Sequence, residues 1–176
     1  SDKSMPQPQD ALSCEVLVVG AGPAGTSCAH ELARSGCDVL IVDQCDFPRH
    51  KVCGDALIPD ALAALKRLEI FDEVMEKALA VDHVRCLAPG GSAADIEAPM
   101  AVISRFVLDD MLWRAACRRG SRFLPRLTFE SLVRDPGPSN RLRGALLRRQ
   151  GEHVLINAEH VVLATGASTT ALDAAG

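Results

Sequence analysis

The sequence predicts an α/β protein, a βαβ core with an antiparallel β excursion inserted into it or appended to it. Three observations predict this. Residues 14–25 read Cys-Glu-Val-Leu-Val-Val-Gly-Ala-Gly-Pro-Ala-Gly, an apolar run that breaks into a glycine-rich turn. A helix-compatible stretch then leads to a second apolar run, Val39-Leu40-Ile41-Val42, which stops at Asp43. From Val81 to Ile103 the pattern changes to short strand-like runs broken by Pro89-Gly90-Gly91.

The elements follow in order. A first strand is expected over 14–19, a helix over 23–35 ended by Gly36, and a second strand over 37–43. After a polar loop with Pro48, a helix is expected over 56–69, because Ile58, Ala61, Leu62, Leu65 and Leu68 recur on one face. A helix over 106–119 turns Phe106, Leu108, Leu112, Ala115 and Ala116 inward and ends at Arg118, Arg119 and Gly120. Strands are expected near 121–124, 127–133, 141–149 and 152–157, separated by Asp135-Pro136-Gly137-Pro138 and by Gly151. A last apolar run, His160 to Ala164, enters Thr165-Gly166-Ala167-Ser168. Residues 1–12 read as a disordered tail and 13–176 as one domain, with no internal repeat and no linker dividing it.

The glycine spacing carries the ligand reading. Gly20 permits the tight turn off the strand, Gly22 lets the backbone approach a pyrophosphate, and Gly25 lets the helix pack closely on the sheet. Pro23 and Ala24 complete the turn, and the helix amino terminus brings free N–H groups and partial positive charge to the phosphates. Asp43 stands 18 residues beyond Gly25, close to the roughly 20 expected for an acid that accepts hydrogen bonds from a ribose. A Rossmann-like unit binding an adenine dinucleotide is therefore expected, with the nicotinamide or flavin end left open. Ligands of open α/β sheets sit outside the carboxyl ends of the strands, so Thr165 and Gly166 are expected beside Gly20 and Gly22.

Composition narrows the classes. A net charge of −4 argues against a general nucleic-acid binder, although arginines 118, 119, 122, 126, 141, 143, 148 and 149 make the second half locally basic. Those arginines lack interleaved aromatics and read as solvated edges. The seven cysteines form no C-x-x-C pair, which suggests neither a disulfide framework nor a metal site and fits a reducing cytoplasm. No apolar run reaches membrane-spanning length, and the polar start does not read as a signal peptide. With five Phe, one Trp and no Tyr, the chain is expected to supply a cofactor cradle and little of a substrate site.

Four segments, in order, resemble the flavoprotein superfamily of geranylgeranyl reductases, para-hydroxybenzoate-hydroxylase-like monooxygenases and flavin-dependent halogenases. Val16 to Asp43 is similar to the FAD fingerprint. Pro48-Arg49-His50-Lys51-Val52-Cys53-Gly54 is similar to the Pro-Arg-x-Lys-x-Cys-Gly segment of the geranylgeranyl-reductase branch. Arg105 to Leu112 resembles an Arg-x-x-x-Asp-x-x-Leu helix start whose arginine contacts FAD, and Val161 to Ser168 resembles a segment reading Ala-Asp-Gly in many relatives. The resemblance implies FAD as cofactor, with Arg49, Lys51 and Arg105 offering positive charge to its pyrophosphate and Cys53-Gly54 beside the flavin ring. Arg105 is the best suited of these to a forked contact. Cys53 is expected to be a pocket wall, because the low-pKa surroundings or partner cysteine that thiol catalysis needs are not readable here.

Thr165 stands where hydroxylases of this superfamily carry an aspartate tied to both FAD and NADPH, which leaves open whether NADPH or a separate flavin reductase supplies electrons. The implied activity is reduction of an alkene by reduced FAD, with oxygenation or halogenation of a natural-product intermediate as the alternative. An FAD- or NAD-binding module without catalysis is a third reading. The substrate is expected to be a small molecule, with peripheral membrane contact if it is a prenyl lipid. No catalytic residue is assigned. The chain is expected to be the amino-terminal part of a larger flavoprotein, lacking the closing Gly-Asp segment and the substrate domain.

Overall fold

The computed structural model describes residues 12–167 and Asp173. The tail expected over 1–12 lies outside these residues except for Leu12, which already belongs to a strand, and Ser168 of the last glycine turn lies outside them as well. The elements in chain order are β1 (Leu12–Val19), α1 (Pro23–Arg34), β2 (Val39–Val42), β3 (Ala56–Leu57), α2 (Pro59–Arg67), α3 (Phe71–Met75), β4 (Leu79–Leu87), β5 (Ala93–Val102), α4 (Arg105–Arg118), β6 (Arg122–Leu124), β7 (Thr128–Arg134), β8 (Leu142–Arg149) and β9 (Glu152–Leu163). They form two compact units, one made of residues up to Asp46 together with those from Ala116 onward, the other of Phe47–Ala115. The β excursion is thus inserted, not appended.

The first unit is built on a mixed sheet in the order β6-β2-β1-β9-β8-β7. β1 runs parallel to β2 (Val16 opposite Val39, Val19 opposite Val42) and to β9 (Val19 opposite Leu163), and β2 runs parallel to β6. β8 and β7 are added antiparallel beyond β9. Val16–Val19 and Val39–Val42 are all buried, which explains their unbroken apolar runs: a parallel strand covered on both faces has no polar side to alternate with. One core layer joins Leu17, Val19, Leu40, Val42, Leu127, Leu147 and Ile156. The runs expected as separate strands at 152–157 and 160–164 are one strand of 12 residues. β1 pairs with β9 from Leu12 opposite Ile156 to Val19 opposite Leu163, so the polar break at 157–160 is spanned by the ladder. Several of the second-half arginines are paired with carboxylates, Arg122 with Asp38, Arg143 with Asp135 and Arg148 with Glu130.

The second unit holds the antiparallel sheet β3-β5-β4. Its core gathers Leu57, Leu62, Leu65, Leu68, Ile70, Val74, Ala101, Ile103, Leu108, Met111 and Leu112. The helix expected from residue 56 begins at Pro59 instead. Ala56 and Leu57 pair with Val102 and Ala101 of β5, and Ile58 is extended (ψ 167°) as the residue before a proline must be. Ile58, expected on the buried face, is consequently 54% exposed. Phe106 is likewise exposed, while Leu108, Leu112, Ala115 and Ala116 are buried as expected. The short α3 was not foreseen; five residues are too few for a periodic signal.

Candidate cofactor site

In the first unit the carboxyl ends of β1, β2 and β9 meet at the glycine turn. Gly20 N–H donates to Val42 O (2.8 Å), and Ala164 N–H donates to Val19 O (2.7 Å), so the turn is stitched to both neighbouring strands. Gly20 has φ +108°, and a Cβ there would run into the Ala164 carbonyl. At Gly25 a Cβ would overlap the Gly20 carbonyl and press on the Ala164 side chain at 3.2 Å. Gly20, Gly25 and the Ala164-Thr165 exit are therefore packed together. Thr165 is half-buried and Gly166 exposed at φ +70°.

α1 opens without the usual protection. Gly22 is its N-cap, no side chain caps it, Pro23 fills the first helical position, and no acid lies in the first turn. The Thr26 hydroxyl bonds backward to Gly22 O (2.8 Å), and Thr26 N–H donates to the same oxygen (3.0 Å). The Ala24 and Gly25 amides precede the first intrahelical bond and have neither a helical acceptor nor a capping side chain. Two amides plus an uncompensated positive helix end form a donor set that fits the phosphates of a dinucleotide.

Asp43 is 8% exposed and sits at the end of β2. Its Oδ2 accepts from Ala21 N–H (2.8 Å) and its Oδ1 from Cys45 N–H (2.9 Å). The carboxylate thus braces the glycine turn from below, a role sequence spacing alone did not disclose.

The second unit holds the other expected residues. Asp109 on α4 is fully buried and accepts a fork from Arg105, Nε at 2.6 Å and Nη2 at 2.9 Å, while Arg49 Nη1 stands 3.5 Å from its Oδ2. This pairing raises the Arg105 pKa, with the nearby Cys53 a smaller contributor. The side-on fork of Arg105, expected to face a phosphate, is thus occupied by Asp109, and its guanidinium also bonds the Cys53 side chain. The Arg49 guanidinium also lies over the Phe47 ring at 4.7 Å. Lys51, Cys53 and Gly54 are exposed, and a Cβ at Gly54 would enter open space. Nothing in the chain itself requires glycine there, which fits close approach by a ligand. Asp109 is the aspartate of the Arg-x-x-x-Asp-x-x-Leu resemblance, but the sequence reading gave it no role; its place one helical turn after Arg105 is the signal that finds the pair.

An open groove lined by Ser13, Cys14, Arg141 and Asn157 lies at the opposite end of β1 from Gly20 and contains none of these residues. Among the described residues no cluster of three metal-ligating side chains occurs, and no helix is long and apolar enough to cross a membrane.

Fold and turn together define a dinucleotide-binding α/β protein. The chain matches the FAD binding domain family over residues 13–176 and belongs to it. It is 39% identical over 123 residues to the menaquinone reductase of Mycobacterium tuberculosis, covering 64% of this chain and 29% of that protein. It is 30% identical over 128 residues to digeranylgeranylglycerophospholipid reductase 1 of Methanothermobacter thermautotrophicus, covering 68% of this chain and 32% of that protein. The solved flavin-dependent brominase Bmp2 shares the fold, with a TM-score of 0.79 at 24% identity over 89% of this chain and 39% of that one. The chain therefore spans between 29 and 39% of the length of these relatives. It is a flavoprotein FAD-binding domain with relatives among geranylgeranyl-lipid reductases and flavin-dependent halogenases.

Proposed function

We propose that this chain is the FAD-holding portion of a flavin-dependent reductase that delivers hydride to a carbon–carbon double bond of an isoprenoid-bearing substrate. The observation that carries the reading is the pair of relatives named for reducing menaquinone and a digeranylgeranyl glycerophospholipid, compounds that both bear isoprenoid chains. The Pro48–Gly54 segment, similar to that of the geranylgeranyl-reductase branch, supports the same choice.

FAD, when bound, supplies hydride chemistry that no side chain offers. The chain's own contribution is to bind and orient. The Ala24 and Gly25 amides take phosphate oxygens, Gly20 and Gly22 keep side chains out of the way, and Asp43 accepts from a ribose hydroxyl while holding the turn. Arg49, Lys51 and Arg105 contribute positive charge, and Cys53 and Gly54 offer a small-residue surface to a flat ring. With threonine at 165, a separate flavin reductase or other donor is favoured over direct reduction by NADPH. In this reading the protein works in the cytoplasm, in peripheral contact with the membrane that holds its substrate.

The complete protein, loaded with FAD and reduced by dithionite without oxygen, is expected to reoxidise on adding a geranylgeranyl lipid, with product gaining one H2 per reduced bond. Reoxidation by oxygen alone, giving hydroxylated or halogenated product, would replace this reading with the oxygenase one. Tight NAD binding with no retention of flavin would replace it with a nicotinamide module.

A further inference from the structure

We infer that residues 47–55 form a strap latched onto the first turn of α4, with Asp109 as the positioning residue that holds the latch closed. The inference concerns the second unit alone and does not rest on the FAD reading. The strap belongs to no helix or strand, so neither a helical turn nor a ladder fixes its course. Four of its residues instead reach the amino end of α4. Arg49 Nη1 stands 3.5 Å from Asp109 Oδ2, the His50 ring centroid lies 4.7 Å from that of Phe106, and the Cys53 side chain bonds the Arg105 guanidinium. Asp55 Oδ1 accepts from the Arg105 N–H at 3.3 Å, and Asp55 O accepts from the Ile103 N–H at 3.0 Å.

Asp109 ties these contacts together. It is fully buried, where an unpaired carboxylate would be costly, and it draws in one arginine from the strap, Arg49, and one from its own helix, Arg105. Its two-point contact with Arg105, Nε at 2.6 Å and Nη2 at 2.9 Å, fixes the plane of the guanidinium that meets Cys53. One carboxylate thus sets the strap on both sides of its crest. Between those pinned sides the strap bows outward, with Lys51 exposed and Val52 103% exposed. α4 has no acid in its own first turn, and Asp55 brings one to it from the strap, which favours the closed arrangement through the helix dipole. The closed strap therefore presents residues 51–54 in one arrangement before any ligand arrives.

An Asp109 that merely stabilises the unit makes a different forecast: its loss would loosen the whole unit in step, not the strap first. Trypsin separates the two, because cutting after Lys51 needs an extended stretch on both sides of the bond, where Arg49, His50 and Cys53 are held. Cutting after Arg67, in α2 of the same unit, reports loosening of the unit as a whole. Both rates are read by mass spectrometry on the complete protein, relative to the same bonds in synthetic peptides, for wild type, D109N, R105K, H50A and the D109N/R105K double variant. The latch predicts that D109N speeds cleavage after Lys51 about tenfold, the order of one charged hydrogen bond lost, with the rate after Arg67 unchanged. R105K keeps the charge and loses the fork, so it is expected to open the strap as well. The double variant is expected to go no further than the faster single one, because both act on one latch. H50A removes only an exposed ring contact and is expected to speed the same cleavage by a smaller factor. Should D109N not fold, R105K and H50A decide the matter. Cleavage after Lys51 that rises only in step with that after Arg67, that no variant changes, or that gains the full product of both factors in the double variant would overturn the latch.

Discussion

Glycines of the same turn answer to different demands, and substitution separates them. At Gly25 an added Cβ meets backbone, the Gly20 carbonyl, which cannot step aside as a flexible side chain does. Gly25→Ala is therefore expected to cost about 3 kcal/mol of folding stability, read from the denaturation midpoint. Gly22 is the half-buried cap of α1, and its value lies in the space it leaves for a phosphate. Gly22→Val is expected to lose bound flavin with an unchanged circular dichroism spectrum; a folded variant of normal affinity would contradict the fingerprint. Asp43 serves both ends at once. Asp43→Ala removes the acceptor of two backbone amides as well as the ribose contact, so a loss of about 1.5 to 3 kcal/mol is expected in apo stability and again in FAD affinity. A titration in which only affinity fell would show that the brace is dispensable. Burial pushes the Cys14 thiol up to about 11 from an ordinary 9.0, with the Asp38 charge adding to it. A raised acid favours the folded state below its unfolded pKa, so this contribution is intact through neutral pH. It is lost as pH climbs from about 9 to 11, a slope in the melting temperature that Cys14→Ala should remove.

Among the elements, α1 shows most clearly how a helix is left incomplete for a ligand. Its start carries neither a capping side chain nor an acid, both of which would ordinarily stabilise it. Ala24→Glu on the exposed first turn is expected to raise the stability of the ligand-free protein by about 0.3–1 kcal/mol through the helix dipole. The same charge would repel phosphate and weaken FAD. Opposite signs in thermal melts and in FAD titration would confirm that this terminus is kept bare for an anion; equal signs would deny it. α2 and β9 show what element boundaries depend on. Apolar spacing over 58–68 located α2, but Pro59 and the pairing of Ala56–Leu57 with β5 set its start. In β9 the polar residues 157–160 looked like a break because the ladder that carries the strand through them is supplied by β1, 144 residues earlier in the chain.

On the scale of the molecule, the chain is two compact units, the second inserted between β2 and β6 of the first. Relatives extend well past the matched part, this chain amounting to 29% of the menaquinone reductase. The 176-residue chain alone is therefore expected to hold FAD more weakly than any longer polypeptide containing it, and to orient the flavin poorly. Dissociation constants compared at equal folded fractions test this; equal values would make the chain a complete cofactor domain. The sequence by itself determined the βαβ core and the glycine turn, because these rest on short-range demands: unbroken apolar runs for doubly covered strands, and glycine where backbone touches backbone; the flavin end of the ligand came only from the resemblance of four segments to known flavoproteins. Tertiary structure alone decided three further matters: that the β excursion is inserted, that Asp43 braces the turn, and that the fork of Arg105 belongs to Asp109. Each depends on which distant groups share a hydrogen bond or a sheet edge. A carboxylate has the same formula whether it meets a ribose, an amide or an arginine, and only the fold chooses its partner.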